Sequence, residues 1–239
     1  EGIRNVLPDA EVIVKPLADG GEGTTEALVE GLGGEMAEVR VHGPLETPVD
    51  ACYGIIRKTG TAIMEMAAAA GIILVGKDRR PLDATTYGVG EMIRDAVEKG
   101  CRNFIIGIGG SATNAGGIGL LTALGYEFLD AQGKAVGIGA GALKDVASIR
   151  TDHVLPELRE CSFKIACDVT NPLCGTNGAT YIYGPQKGVT EDLRDELDAA
   201  MAGYAQVTKT CIGTDYMESE GAGAAGGLGV AFLSYLHAD

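Results

Sequence analysis

No apolar run approaches the ~20 residues that a helix needs to cross a bilayer, which excludes a membrane span and leaves a soluble globular protein. Basic residues are scarce: 19 Lys and Arg stand against 33 Asp and Glu, a net charge of −14. That balance excludes nucleic acid and anionic membrane as partners. It also requires that any anionic substrate be attracted locally, by loop N–H groups, a few Lys or Arg, or a bound cation. None of the six cysteines forms a C-x-x-C pair, so a zinc knuckle is excluded and buried free thiols in a reducing cytosol are expected. Gly-x-x-x-x-Gly-Lys-Ser/Thr is missing, and the ordinary P-loop with it. Tryptophan is absent and aromatics are few. There is no visible signal peptide, although the first residue is Glu1 rather than Met and a start upstream is expected.

Glycine is in excess, with 37 residues clustered at segment junctions, which favours ligand-cradling loops over a low-complexity linker. The chain is arranged around Cys101 to Phe128. Phe104-Ile105-Ile106 leads into the glycine loop Gly107 to Asn114, and Ile118, Leu121 and Leu124 then recur at helical spacing, giving strand, loop and helix. Loop N–H groups and the positive end of a helix dipole suit an anion. Gly109, Gly110, Ser111, Thr113 and Asn114 are the candidate binding residues. Gly107-x-Gly109-x-x-Ala112 with Asp130 about twenty residues on also satisfies the dinucleotide fingerprint, so a dinucleotide-dependent oxidoreductase is a rival. A tight turn without a ligand is the plainer reading.

A strand over Glu11 to Leu17 precedes a second glycine loop, Asp19-Gly20-Gly21-Glu22-Gly23-Thr24. Thr24 or Thr25 can cap the helix that stops at Gly33-Gly34. Two carboxylates repel a phosphate, so Asp19 and Glu22 fit as Mg²⁺ ligands or as a base for a substrate hydroxyl. They could equally just complement the helix dipole. Strands follow at Val39 to Val41, Val49 to Arg57 and Ala62 to Met66, and then an alanine-rich helix ending near Gly76. The next helix carries Val89, Met92, Ile93, Ala96 and Val97 on one stripe. Further on, Asp145 to Ile149 reads as a short strand. Phe163 to Cys167 reads as a buried strand delivering Asp168 and Asn171 at its carboxyl end, where α/β enzymes meet ligands. Lys187 offers a flexible cationic arm within a glycine turn, suitable for phosphate. A helix with Leu193, Leu197, Ala200, Met201 and Tyr204 on its core face follows, then Gly221 to Gly229, whose small residues allow close backbone approach.

Five motifs in order, Ala18 to Thr24, Gly109 to Asn114, Asp168-x-x-Asn171-Pro172-Leu173, Gly184-Pro185-Gln186-Lys187-Gly188 and Gly221 to Gly229, resemble those of the bacterial type 1 glycerate kinases. The resemblance implies ATP- and Mg²⁺-dependent phosphorylation of D-glycerate to 2-phosphoglycerate by a cytoplasmic α/β protein. It implies two domains, with the site in the cleft between them: a Rossmann-like outer domain, incomplete here, from residues 1–50 and 221–239, and an inserted flavodoxin-like domain from 51–220. Asp168 and Asp19 are the candidates for metal ligand and hydroxyl base, with Glu22 supporting, and Lys187 neutralises phosphate charge. The family's first strand with its Asp-Ser-Phe-Lys segment would precede Glu1, and a Thr-Gly-Glu-Gly loop would follow Asp239. Relatives commonly carry Asp where this chain has Ala115. These departures lead to the expectation of a truncated chain that is inactive as it stands. A dinucleotide-dependent oxidoreductase and a non-catalytic ligand-binding fragment are the alternatives.

Overall fold

The computed structural model describes residues 5–7 and 23–239. The strand at 11–17 and the candidates Asp19, Gly20, Gly21 and Glu22 lie outside the described residues. Helix α1 (Thr24–Leu32) opens the described fold after Gly23, in the left-handed region at φ 87°. The expected threonine cap is replaced: the Glu65 carboxylate accepts a hydrogen bond from the Thr25 N–H at 2.8 Å. Strands β1 (Glu35–His42) and β2 (Pro48–Ile56) pair antiparallel around Gly43-Pro44, with Glu35 opposite Ile55 and His42 opposite Pro48. β3 (Thr61–Glu65) adds antiparallel to β2 and gives way to the short helices α2 (Ala67–Ala70) and α3 (Ile72–Val75).

Helix α4 (Tyr87–Glu98) buries Val89, Met92, Ile93, Ala96 and Val97, the stripe its 3.6-residue spacing predicts. β4 (Asn103–Gly107) leads through the long loop 108–117 to α5 (Ile118–Ala123). A hairpin pairs β5 (Glu127–Leu129) with β6 (Ser148–Arg150), so the strand expected from Asp145 begins later, after a 3₁₀ turn over Ala140–Asp145. β7 (Ser162–Ala166) pairs parallel with β4, and β4 with β3, completing a five-stranded mixed sheet in the order β1-β2-β3-β4-β7. Of β7, expected to be buried throughout, only Phe163 is fully covered. α6 (Ala179–Tyr183), α7 (Glu191–Ile212) and α8 (Ala224–Tyr235) follow. No helix among the described residues is long and apolar enough to cross a membrane.

α1 covers one face of the sheet through Val29, Ile56 and Ile63, and the main core lies on the other. That core runs from Val41 to Leu236: β1 pairs with β2, and Leu228, Ala231 and Phe232 of α8 join Ile106, Leu121 and Met201. The six cysteines are free as expected, but Cys52 on β2, Cys211 on α7 and Cys167, just past β7, are exposed rather than buried.

The closest packing is between backbones. Ala225, Gly226 and Gly227 run consecutively left-handed, with φ 52°, 72° and 84°, before α8 becomes regular. Gly226 sits on the 113–114 backbone: its carbonyl accepts from the Gly116 N–H at 3.0 Å, and a Cβ there would collide with the Thr113 carbonyl. Steric overlap and a left-handed φ both penalise any side chain. Gly226→Ala should therefore destabilise by about 2 kcal/mol or more. By contrast Gly203→Ala, in the interior of α7 with nothing within 4 Å of the new methyl, should stabilise by about 0.5–1 kcal/mol. Denaturant unfolding of the two variants checks both signs.

Candidate active site

Because β3, β4 and β7 are parallel and in register, Glu65 lies beside Gly107 and Gly107 beside Ala166. Three chains therefore leave the sheet at one edge, where α/β folds place ligands. The Met66 N–H donates to the Gly107 carbonyl at 2.9 Å and the Ile108 N–H to the Ala166 carbonyl at 3.4 Å, so the outgoing loops stay side by side for a further residue. Here a cleft of about 380 Å³ opens, lined by Gly109, Gly110 and Ser111 from β4, Asp168 from β7, and Tyr183 and Lys187 from the α6 region. The volume is that of a small-ligand site.

Lys187 is the unusual group. Its side chain is 2% exposed, and its Nζ donates to Ser111 Oγ at 2.7 Å and to the Thr113 carbonyl at 2.7 Å. Both acceptors are neutral, and burial alone pushes the ammonium down to about 7, since a desolvated charge is costly without a counter-charge. The turn that delivers it is fixed locally. Pro185 starts a 3₁₀ turn, Gly188 closes it at φ 95°, and a Cβ on Gly188 would press on Arg79 and Pro81.

Of the binding candidates, Gly109, Gly110 and Ser111 line the cleft. Thr113 and Asn114 do not: they are 1% and 0% exposed, pinned between Gly226 and Thr180, whose Oγ1 accepts from Asn114 Nδ2 at 3.0 Å. Thr113 Oγ1 and Asn114 Oδ1 have no hydrogen-bond partner among the described residues. Asn171 also stands back from the cleft. Its Nδ2 donates to the Asn177 carbonyl at 2.8 Å and its Oδ1 accepts from the Tyr183 hydroxyl at 2.6 Å, so it fixes a tyrosine that the cleft does use. Burial first, and then the negative charge of Asp168, push the Tyr183 phenol up. Gly23 and Thr24 begin α1 and are not among the residues lining the cleft.

The helix after the glycine loop does not aim its dipole at the cleft. Gly116 and Gly117 turn the chain left-handed, and Gly117 packs against Ala231 and Leu228, so the N-terminus of α5 points into the core. Ala115, where a carboxylate was expected, is 1% exposed within the apolar core and outside the cleft lining. The dinucleotide reading loses its ribose ligand, because Asp130 caps its own turn, accepting from the N–H groups of Gln132 and Lys134 at 2.9 Å each. Tyr183, Gln186 and Ala225 are cleft residues that sequence reasoning missed. Proximity to Lys187 in the Tyr183-Gly184-Pro185-Gln186 run was the signal available for the first two. Among the described residues, no three His, Cys, Asp or Glu side chains gather to hold a metal.

Residues 1–239 match the model of the glycerate kinase family. The glycerate kinase of Bacillus subtilis (strain 168) is 47% identical over 239 residues, covering 100% of this chain and 63% of the relative. The glycerate 2-kinase of Escherichia coli (strain K12) is 46% identical over 240 residues, with the same coverage. The crystal structure described as glycerate kinase 2 from Salmonella typhimurium LT2 superposes with a TM-score of 0.95 at 44% identity, covering 100% of this chain and 64% of that one. The chain thus spans a little under two thirds of the length of the proteins it matches.

A buried lysine leaves a signature in the pH dependence of stability. The unfolded chain keeps this proton up to a pKa near 10.5, whereas the folded chain releases it at about 7. Between those values the unfolded state binds more protons, so this group makes stability rise with pH and lowers it below about 7. Half-buried cysteines such as Cys161, pushed up to about 11, act oppositely above pH 9, so the quantity to follow is the difference between proteins. Urea unfolding between pH 6.5 and 8.5 should show wild type gaining on Lys187→Met as pH rises. A constant difference would place the folded lysine's pKa above that window, close to its unfolded value.

Proposed function

The chain belongs to the glycerate kinase family, and we propose that it carries the core of the site at which D-glycerate is phosphorylated by ATP, giving 2-phosphoglycerate as the name of the Escherichia coli relative suggests. The observation that carries this reading is one cleft lined by a glycine turn, a buried lysine with no ion-pair partner among the described residues, and a carboxylate. Phosphoryl transfer asks little covalent chemistry of a protein; positioning and charge stabilisation carry the rate. An ammonium whose acceptors among the described residues are neutral oxygens is a ready seat for an anion, and in a protein of net charge −14 such a seat has to be built locally.

Gly109 and Gly110, lacking side chains, let a ligand approach the backbone where β4 ends. Ser111 and Lys187 hold an anionic group of the bound substrates. Asp168 leaves the adjacent strand on the same edge and accepts the proton of the glycerate hydroxyl. Mg²⁺, which neutralises phosphate charge when bound, falls to Asp19 and Glu22, since carboxylates are the ligands it prefers. Thr113 acts by holding Lys187 and Asn171 by holding Tyr183, while Asn114 ties the loop to Thr180 of α6. We also propose the discontinuous two-domain arrangement for the longer proteins of this family, with 1–50 and 221–239 lying against the middle of the chain, and a cytoplasmic location. The expectation of inactivity finds no support at the described cleft, because Ala115 is not one of its lining residues.

A coupled assay of ADP release with D-glycerate should show turnover, run on this chain and on one extended to the relatives' length. NADH should give no saturable binding. Asp168→Asn should lower kcat by about 100-fold or more with KM changed only a few-fold, as expected for an interaction made in the transition state. If the variant instead needs far more Mg²⁺ to recover its rate, Asp168 is a metal ligand and not the base. Full activity would remove it from the mechanism.

A further inference from the structure

We infer that the Lys187–Ser111 pair seats the carboxylate of the hydroxy-acid substrate and not the phosphates of the nucleotide, an assignment that rests on the kinase reading above. Charge count is the first argument. Among the described residues lining the cleft, Lys187 is the one cation and Asp168 the one carboxylate. A single buried ammonium is neutralised by a single carboxylate, whereas a polyphosphate would leave several uncompensated charges in a desolvated place. Donor chemistry is the second. Ser111 Oγ accepts from Lys187 Nζ at 2.7 Å, so its own proton is free to point elsewhere, and Nζ, with two of its three N–H groups engaged, has one left. One N–H and one O–H side by side make the two-point contact that a carboxylate accepts. Rigidity is the third. The Thr113 carbonyl that fixes Nζ is itself locked beneath Gly226, which suits an anchor for a small, fixed group better than the sliding contacts of a phosphate chain.

Calorimetric titration of the chain tests this without turnover. D-glycerate should bind and compete with D-lactate, while glyceramide, its uncharged amide, should bind at least 30-fold more weakly. Lys187→Met should weaken D-glycerate by a similar factor and leave Mg·ATP within threefold. Should that variant not fold, Ser111→Ala keeps the amine and should still weaken D-glycerate about fivefold with Mg·ATP unchanged. Selective loss of Mg·ATP or pyrophosphate binding, equal loss of nucleotide and acid, or tight binding of glyceramide would each overturn the assignment. If wild type phosphorylates D-glycerate yet gives one of those results, the carboxylate seat alone is wrong. Failure of both this chain and one extended to the relatives' length to bind D-glycerate would sink the kinase reading with it.

Discussion

A lysine amine whose described acceptors are neutral oxygens is expensive to fold, and here a short proline-started turn and the glycine loop after β4 hold it in place. Lys187 donates to a serine hydroxyl and a backbone carbonyl, and neither repays the loss of water that surrounds an ammonium in solution. The site therefore rests at a higher free energy than a surface turn would. An anion placed beside it would recover that deficit, a local solution open to a strongly acidic protein that has no broad basic surface to offer.

The sheet supplies the frame. Its parallel half, β3, β4 and β7, brings three chain segments to one edge in register. The edge needs no side-chain scaffold, because backbone bonds carry the alignment a residue further into the loops. Glu65, at the end of β3, reaches out to the N-terminus of α1, tying that helix to the same edge. What remains adjustable is side chain: Tyr183 held through Asn171, and Gln186 on an exposed turn.

Much of this was legible in the residues. Period-3.6 stripes located α4 and α7, since there the pattern is the cause of burial, and the apolar runs on either side of Gly43-Pro44 located β1 and β2. Glycine loops at strand ends marked where the cleft would open. The interior of loop 108–117 was not legible. Thr113 and Asn114 have the side chains of ligand-binding residues, yet whether they meet solvent is decided by Gly226 and Thr180, far along the chain. The direction of α5 was hidden for the same reason, being set by Gly117 packing on Ala231. Asp130 looked like a ribose ligand by spacing alone, and spacing does not reveal that a carboxylate is already occupied by its own turn.

The stack of Gly226 on the Thr113 backbone has a bearing on the order of folding. Loop closure across more than a hundred residues is entropically costly and slow. A chain still being synthesised can form its sheet and α4 once β7 has emerged, but the wall that fixes the lysine's carbonyl acceptor arrives only with α8. The scaffold of paired strands thus precedes the wall of the cleft, so a nascent chain from which α8 has not yet emerged would have its strands in register while both the core face that α8 covers and the back of the cleft stay open.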